Sequence, residues 1–438
     1  MQGFCGRIRK TIRAMMYSIE VIAAFDFLDR EHVIGVLEYE RLKGAASYRF
    51  SYDEEFLRRF PSFRLSSDIG NYPGWQSARS GIFSFLGDAL PDRWGRALID
   101  KRERIVARKL GRIPRTFDDF GYLVRIDDMT RMGALRFKHN GKYIGVQDEG
   151  QPVPPVASLE TFIRDAHELE RSEGYGTGLR DEWLDNVWRQ GSSLGGARQK
   201  ANVIEDNGLW IAKIPSGKDT YDVALWEYFA LTLARKAGVR TADSKVVRIG
   251  PTPYHTLLSK RFDRAGERRI QFASSLTLTG LHDGDNADSN KGYIDIAEAM
   301  AGSIGVISLE ENLEQLYRRI AYNIIIGNHD DHFRNHGFLL RKNGWELSPA
   351  YDINPTNILT QSLMISAHSN QSSLKELLDA SGYYLIEKDK AAQIIAEVCS
   401  TVEGWKEHAR NVGISIREQQ RFEERIEYSL NEGRGVFI

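Results

Sequence analysis

Residues 327–335 have the sequence Gly-Asn-His-Asp-Asp-His-Phe-Arg-Asn, and residues 348–352 follow with Ser-Pro-Ala-Tyr-Asp. Asp330 and Asn335 lie five residues apart, and Asp352 follows seventeen residues later. Phosphoryl transfer needs a carboxylate to receive the proton of an acceptor hydroxyl, and oxygen ligands to hold Mg²⁺. The spacing predicts that Asp330 is the catalytic base and that Asn335 and Asp352 bind the metal.

The elements around this stretch follow the order found in the C-terminal lobe of a protein kinase. An amphipathic helix is predicted over residues 311–327, and a hairpin over residues 337–347 with its turn at Asn343 and Gly344. The interval between Asp330 and Asn335 equals that of the catalytic loop H-R-D-L-x-x-x-N. Several weak signals in the correct order predict a kinase-like fold better than any one of them.

A lysine and a glutamate upstream fit the same set. Lys213 lies in a predicted buried strand, where a cation is costly unless it meets an anion. Glu227 follows fourteen residues later in a helix predicted over residues 222–238. A strand Lys held by a helix Glu contacts the nucleotide phosphates in kinases. For each residue alone, a solvent-facing side chain is the commoner explanation.

Residues 191–200 form a loop of small side chains, Gly-Ser-Ser-Leu-Gly-Gly-Ala-Arg-Gln-Lys. Small side chains let backbone N–H groups approach phosphate oxygens, so the loop is a candidate for covering a nucleotide. It is not a Walker A loop, because no G-x-x-x-x-G-K-[ST] is present. An ordinary hairpin turn explains the two glycines equally well.

The composition excludes several classes of protein. The 438 residues carry 59 basic and 60 acidic side chains, so no domain-wide field for nucleic acid or a membrane is expected. No apolar run approaches the ~20 residues that span a bilayer, and no signal-peptide pattern follows the basic N-terminal residues. Cys5 and Cys399 are expected to be free thiols in a reducing compartment, which predicts a cytoplasmic location.

Periodicity and breaker residues divide the chain into four predicted parts. Residues 1–16 are expected to be a disordered basic arm, and residues 17–150 a β-rich subdomain. Residues 151–262 are predicted to form an N-lobe that contains the glycine-rich loop, and residues 263–438 a mainly helical C-lobe. The predicted fold class is therefore α+β, with two lobes as in protein kinases.

From about residue 20 to the 390s, the chain resembles the HipA family of bacterial Ser/Thr kinase toxins. The D-x-H-x-x-N loop followed by a Tyr-Asp strand end carries the resemblance most specifically, and residues 90–92 and 132–135 match the N-terminal subdomain more weakly. The principal matching segments are residues 195–200, 211–215, 260–264, 326–332 with Asn335, and 348–353.

The resemblance implies ATP and Mg²⁺ as cofactors and a small helix-turn-helix antitoxin, similar to HipB, as partner. It also implies autophosphorylation, a role in persistence, and aminoacyl-tRNA synthetases as substrates modified on Ser or Thr. With a net charge near zero, contacts with DNA are expected through the antitoxin alone.

The resemblance also assigns residues to the site. Asp330 is implied as the base, Asn335 and Asp352 as Mg²⁺ ligands, and Ser193 or its neighbour Ser192 as the autophosphorylated serine. Asp352 is followed by Ile-Asn instead of Phe-Gly, and no A-P-E motif follows, so the activation loop of eukaryotic kinases is not expected. The implied ATP-binding residues are Gly195, Gly196, Ala197, Arg198, Gln199, Lys200, Lys213, Glu227, Ser259, Lys260, Arg261, Phe262, His332, Arg334, Asn335 and Asp352.

Two alternatives compete with this interpretation. A metallophosphoesterase would use Gly-Asn-His-Asp at residues 327–330, Gly-Asp-x-x-Asp at 284–288 and Asp-x-His at 165–167. However, residues 163–169 are predicted to be helical, whereas Asp-x-His should end a strand, and no Gly-His-x-His follows. The other alternative is a non-catalytic co-repressor that acts with a DNA-binding antitoxin.

Overall fold

The computed structural model describes residues 16–42, 44–61, 63–79, 81–91, 93–146, 153–171, 199–250, 252–302 and 304–436. Within these ranges the chain forms a β-rich N-terminal part, a second sheet, and a mainly helical C-terminal part. The predicted α+β class and the two-lobed arrangement are confirmed. The predicted arm lies outside these ranges except for Met16, which begins the first strand.

The first part is a six-stranded antiparallel sheet in the order β4-β3-β2-β1-β5-β6. Inward and outward side chains alternate along β3, as expected for a sheet with one face buried. The alternating sequence pattern predicts strands near residues 20–27, 33–39, 48–52 and 134–138, and all four are present with different ends. The strands are β1 (Met16–Ala23), β2 (His32–Leu42), β3 (Ala45–Tyr52), β4 (Trp75–Ser77), β5 (Leu135–His139) and β6 (Lys142–Tyr143).

Four helices belong to this first part: α1 (Glu54–Arg59), α2 (Ser84–Gly87), α3 (Arg93–Lys109) and α4 (Asp119–Leu123). The Asp53 carboxylate caps α1 by accepting a hydrogen bond of 2.9 Å from Phe56 N. Asp118 caps α4 in the same way through Gly121 N. The long helix α3 begins two residues after Pro91, and proline is common at the start of a helix because its fixed φ suits the first turn.

The second part begins with helix α5 (Leu159–Arg171) and continues with an antiparallel sheet in the order β7-β8-β10-β9. Its strands are β7 (Lys200–Glu205), β8 (Gly208–Lys213), β9 (Ser244–Val247) and β10 (Thr256–Lys260). Strand β8 is interior, so Lys213 is not an edge-strand lysine. Helix α6 (Val223–Lys236) starts at the cap Asp222 and is followed by Gly238 with φ +81°, as predicted for residues 222–238.

A buried ionic cluster joins the two parts. The Asp263 carboxylate accepts a hydrogen bond of 2.8 Å from Gly133 N, next to β5. Arg261, whose side chain is 1% exposed, bonds to Asp263 and donates to the carbonyl oxygens of Thr130 and Arg131. Charged residues are rarely buried unless they are paired in this way. The cluster therefore holds the first sheet against the end of β10.

The C-terminal part packs helices around α9 (Leu309–Ile326), which is buried along most of its length. Two small sheets accompany the helices: β11 (Arg264–Ala265) with β12 (Arg268–Arg269), and β13 (Phe272–Ser274) with β14 (Gly337–Arg341) and β15 (Gly344–Leu347). The other helices are α7 (Ser275–Thr279), α8 (Tyr293–Ala301), α10 (Leu374–Asp379), α11 (Lys388–Val402), α12 (Trp405–Val412) and α13 (Ile416–Val436).

The predicted hairpin forms, but its turn lies one residue earlier than expected. Arg341 pairs with Gly344, so Lys342 and Asn343 make the turn and Gly344 starts β15. A side chain at Gly344, which has φ +144°, would meet the Gly305 carbonyl oxygen at 2.5 Å. Glycine is therefore needed at position 344 because the Gly305 backbone packs closely against it, and not because of the turn.

Helix α13 runs behind both lobes of the kinase-like part. Glu418 accepts hydrogen bonds from Asp222 N and Trp226 Nε1 at the start of α6. Further along α13, Arg425 donates to Ile324 O at the end of α9 over 2.8 Å. A cation at a helix C-terminus interacts favourably with the helix dipole. One helix thus supports both α6 and the helix that carries the candidate catalytic loop.

No helix in the ranges that the structure describes is long and apolar enough to cross a membrane. Cys399, one of the two cysteines, is a buried free thiol whose pKa is raised to about 11 by burial. Cys5 lies outside the described residues.

Candidate active site

The candidate catalytic loop starts where α9 ends. Gly327 has φ +77°, and a side chain there would meet the Thr356 carbonyl oxygen at 2.5 Å, so glycine is required for this sharp exit. The side chain of Asp330 is exposed to solvent. Asn335 donates from Nδ2 to the Asp330 carbonyl oxygen over 3.0 Å, which closes the loop. The two residues predicted from their spacing therefore occupy one compact turn.

The neighbouring Asp331 has the opposite environment and anchors the loop. Its buried Oδ2 accepts hydrogen bonds from Tyr293 Oη at 2.7 Å, Asn323 Nδ2 at 2.8 Å and His336 Nε2 at 2.9 Å. Burial would raise the pKa of Asp331, but the His336 ring and these hydrogen bonds hold it below its ordinary value. Asp331 is thus a buried anion that ties the loop to α8 and α9, whereas the Asp330 side chain is exposed to solvent.

Sequence reasoning missed this role of Asp331. The available signal was the adjacent pair of aspartates followed by His336 five residues later. Only one of the two adjacent carboxylates is needed as the base, so a structural role for the other one, Asp331, was to be expected.

Lys213 connects two carboxylates at the opposite wall of the site. Its Nζ lies 2.5 Å from Glu227 Oε1 on α6 and 2.5 Å from Asp352 Oδ1. Burial would lower the pKa of Lys213, but Asp352 and Glu227 raise it above its ordinary value. The predicted pairing of Lys213 with Glu227 is present, and the same ammonium also holds the candidate metal ligand.

The two carboxylates on Lys213 titrate differently. Burial raises the pKa of Glu227 because its side chain is only 5% exposed. For Asp352, which is 31% exposed, burial is outweighed by Lys213 and Lys200, and the pKa falls well below its ordinary value. Lys200 lies opposite Lys213 in the pairing of β7 with β8. This end of the site thus carries two cations and an ionised Asp352, as binding of a triphosphate with Mg²⁺ requires.

Asp352 has an unusual backbone conformation. Its φ is +58°, in the left-handed region that Asp and Asn tolerate better than most residues. Asn354 Nδ2 donates to Asp352 Oδ1 over 3.1 Å, and Asn354 N donates to Asn328 Oδ1 over 3.0 Å. The segment after β15 is therefore joined directly to the catalytic loop, which fixes Asp352 relative to Asn335.

A cavity of about 270 Å³ lies between the two walls. Its apolar end includes Met132 and Phe272, and the Phe262 ring lies 6.1 Å from Phe272 and 5.5 Å from Tyr351, centroid to centroid. Such a surface suits a flat heteroaromatic ring. Of the predicted ATP-binding residues, those that line the cavity are Lys200, Lys213, Ser259, Lys260, Arg261, Phe262, His332, Arg334, Asn335 and Asp352.

The other predicted residues are placed differently. Glu227 lies behind Lys213, and Gln199 is buried with its carbonyl accepting from Ile214 N. The guanidinium of Arg261 is engaged in the buried cluster with Asp263, so Arg261 serves this wall structurally. Gly195, Gly196, Ala197, Arg198, Ser192 and Ser193 lie outside the residues that the structure describes.

The donor set at the polar end of the cavity fits Mg²⁺. Asp352 supplies a carboxylate and Asn335 an amide oxygen, the hard oxygen ligands that Mg²⁺ takes alongside substrate phosphates. The described residues contain no group of three or more His, Cys, Asp or Glu side chains that could hold a metal. A metal that arrives with the nucleotide needs only one or two protein carboxylates.

Two of the three segments that the metallophosphoesterase alternative needs lie in other structural settings. Residues 165–167 lie within helix α5, not at a strand end, and His167 Nε2 contacts the Pro215 carbonyl oxygen at 2.7 Å. Asp285 accepts a hydrogen bond from His282 N within its own loop. Each of these groups thus has a local structural role.

Comparisons with known proteins give a family match, a relative and similar solved structures. Residues 192–405 match the family model described as HipA-like C-terminal domain. The putative kinase Y4dM of Sinorhizobium fredii (strain NBRC 101917 / NGR234) is 26% identical over 157 residues, which are 33% of this chain and 37% of that protein. The match thus spans little more than a third of that relative.

Two solved structures match this chain, and the first of them shares its fold. HipA of Shewanella oneidensis MR-1, solved with HipB and operator DNA, has a TM-score of 0.63 at 16% identity and covers 95% of this chain and 97% of that one. The Helicobacter pylori proinflammatory kinase CtkA covers 56% of this chain and 94% of its own, at 16% identity and a TM-score of 0.37.

The fold and the arrangement of Lys213, Glu227, Asp330, Asn335 and Asp352 define a two-lobed kinase-like protein. More particularly, residues 192–405 match the model of the HipA-like C-terminal domain, and the chain has the HipA fold over almost its whole length.

Proposed function

We propose that this protein is an ATP- and Mg²⁺-dependent serine/threonine protein kinase, the toxin of a toxin–antitoxin pair. One observation carries the proposal. Lys213 bridges Glu227 and Asp352 on one side of a nucleotide-sized cavity, while the exposed Asp330 stands on the loop that closes the other side. These are the parts that phosphoryl transfer requires.

Each residue has a defined task in the proposed reaction. Lys213 and Lys200 attract the phosphates, and Asp352 with Asn335 would hold Mg²⁺, which neutralises developing charge on the phosphate oxygens. Asp330 accepts the proton of the acceptor hydroxyl as that oxygen bonds to the γ-phosphorus. The bond from the γ-phosphorus to the β–γ bridging oxygen then breaks, and ADP leaves.

The proposal extends to partners and regulation. The similar Shewanella protein was solved with HipB and operator DNA, which supports a HipB-like antitoxin as partner and DNA contact through that antitoxin. We propose a translation component, such as an aminoacyl-tRNA synthetase, as substrate, and phosphorylation of Ser193 or Ser192 as the switch. A phosphate there adds about −1.5 to −2 charges beside the triphosphate, which would oppose closure of the glycine-rich loop.

Intact-mass measurement after incubation with Mg·ATP tests the proposal. We expect one added phosphate on the wild type, none on Asp330→Ala, and none on the double variant Ser192→Ala, Ser193→Ala, which should still bind ATP. Undiminished incorporation in the double variant would exclude this loop as the switch. Full transfer activity in Asp330→Ala would exclude the catalytic assignment itself.

A further inference from the structure

A second and larger cleft adjoins the nucleotide cavity. It has a volume of about 950 Å³ and lies between helix α3 of the N-terminal part and α7 with residues 281–283 of the C-terminal part. The nucleotide cavity measures about 270 Å³, so this cleft has room for several amino-acid residues. Its sides are apolar at Leu90, Ala97 and Leu281 and charged around them.

The cleft borders the catalytic loop at Arg334, which is part of that loop. Gly87, Leu90 and Arg334 line both this cleft and the nucleotide cavity, and Arg334 directly precedes Asn335. Its Nε lies 3.2 Å from Asp283 Oδ1 on the far wall. A molecule in the cleft would therefore contact the same loop that carries Asp330.

The far wall is also tied to the residue before Asp330. Ala287 N donates to the Ser362 carbonyl oxygen over 2.8 Å, and Ser362 donates from N and Oγ to the His329 carbonyl oxygen over 3.0 and 2.9 Å. The segment that begins at residue 281 is thus held in a fixed relation to the proposed base. This makes the cleft a continuation of the reaction site and not a separate surface.

Three arginines and three carboxylates line the cleft, so its charge is balanced overall and its preference for a ligand depends on which arginine is unpaired. Two of its three carboxylates are paired with arginines: Asp119 with Arg96 at 2.9 Å, and Asp283 with Arg334. The third, Asp100, accepts a hydrogen bond from Tyr122 Oη at 3.0 Å.

Arg93 completes the charge pattern of the cleft. It is exposed at the start of α3, and no residue in the described ranges bonds to its guanidinium. Arg93 is therefore the cation left for a ligand.

We propose that this cleft binds the segment of a protein substrate that carries the acceptor hydroxyl. An acidic side chain of the segment pairs with Arg93, and an apolar one packs against Ala97 and Leu281. This inference rests on the proposed kinase function and names its substrate class: Ser- or Thr-containing segments with a nearby acidic residue.

Peptide phosphorylation kinetics test the inference. The probes are synthetic Ser peptides of mixed sequence in which one flanking position at a time is fixed as Asp or as Lys. We expect the wild type to prefer Asp at one position by about tenfold in kcat/KM, and Arg93→Glu to lose or reverse that preference, because like charges across an interface are strongly disfavoured. Arg104→Glu, the same change at an exposed site on α3 outside the cleft, should behave as wild type.

A second variant tests the apolar side of the cleft without changing its charge. Ala97 is exposed, so Ala97→Trp should fold normally and fill the cleft, lowering kcat/KM for peptides about tenfold while KM for Mg·ATP stays unchanged. Wild-type peptide selectivity in Arg93→Glu and wild-type kinetics in Ala97→Trp, with autophosphorylation intact, would overturn the docking site alone. Absence of transfer from ATP to any acceptor in the wild type would instead overturn the proposed function.

Discussion

Asp330 and Asp331 are neighbours with opposite tasks, and replacing each by alanine separates catalysis from stability. Asp331 accepts three buried hydrogen bonds on one oxygen. Each buried donor left without a partner costs ~1–3 kcal/mol, and three donors lose their acceptor here. We therefore expect Asp331→Ala to lower the free energy of unfolding by ~3–5 kcal/mol. Asp330→Ala removes an exposed side chain and should stay within ~0.5 kcal/mol of the wild type.

The two variants should also differ in activity and in melting temperature. Asp330→Ala is expected to lose roughly 10²–10⁴-fold in phosphoryl transfer while melting like the wild type. Asp331→Ala should melt about 3–5 °C lower, since an unfolding entropy of ~2.1 cal/mol/K per residue makes 1 kcal/mol correspond to ~1 °C in a chain of 438 residues. Asp331→Asn keeps an acceptor oxygen but loses the charge beside His336, so its loss of stability should be intermediate.

Urea and thermal unfolding followed by tryptophan fluorescence measure the stability of each variant. Transfer of labelled phosphate measures its activity. Circular dichroism at low temperature verifies that each variant is folded before comparison. If Asp331→Ala unfolds at the wild-type urea concentration, the carboxylate does not anchor the loop and the reasoning fails. If Asp330→Ala is strongly destabilised, the exposed environment assigned to Asp330 is wrong.

Three further predictions concern the nucleotide cavity. Lys213→Met should weaken ATP binding at least tenfold in a calorimetric titration, whereas Lys375→Met, the same change at an exposed helix position, should leave it unchanged. The pKa of Asp352 lies below its ordinary value, so its contribution to stability is present above about pH 4 and is lost as pH falls further. Asp352→Asn should therefore lose less stability than the wild type on acidification. The ATP affinity of Asp352→Asn should also no longer depend on Mg²⁺. A side chain at Gly337 would meet the Phe272 ring at 2.2 Å, so Gly337→Ala should raise KM for ATP, and Phe272→Leu in the same chain should restore it.

The parts of the site that local patterns encode could be predicted from the sequence. Helix α9 follows from its apolar face, and the loop after it from the spacing of Asp330 and Asn335. The pairing of Lys213 with Glu227 followed from their order along a strand and a helix. The actual ends of β1 and β2 could not be read in this way, because strand pairing with β5 and β3 sets them.

Features built from distant segments escaped the sequence analysis. The role of Asp331 depends on Tyr293, 38 residues upstream, and one sequence does not show which donors converge on a buried carboxylate. The apolar end of the cavity joins Met132 to Phe272 through the packing of two sheets. The predicted domain boundaries and the glycine-rich loop stay predictions.

The support that helix α13 gives to the site becomes available only late in translation. It supports the start of α6 through Glu418 and the end of α9 through Arg425, yet it is translated after every residue of the proposed site. About 80 residues separate Asp352 from the end of this helix, which takes roughly 4–16 s at ~5–20 residues per second. During that interval the nascent chain already contains its proposed catalytic residues but lacks the support behind them. For the proposed toxin, the site would thus stay unsupported until α13 has been made and has docked, and the proposed antitoxin would have those seconds in which to bind first.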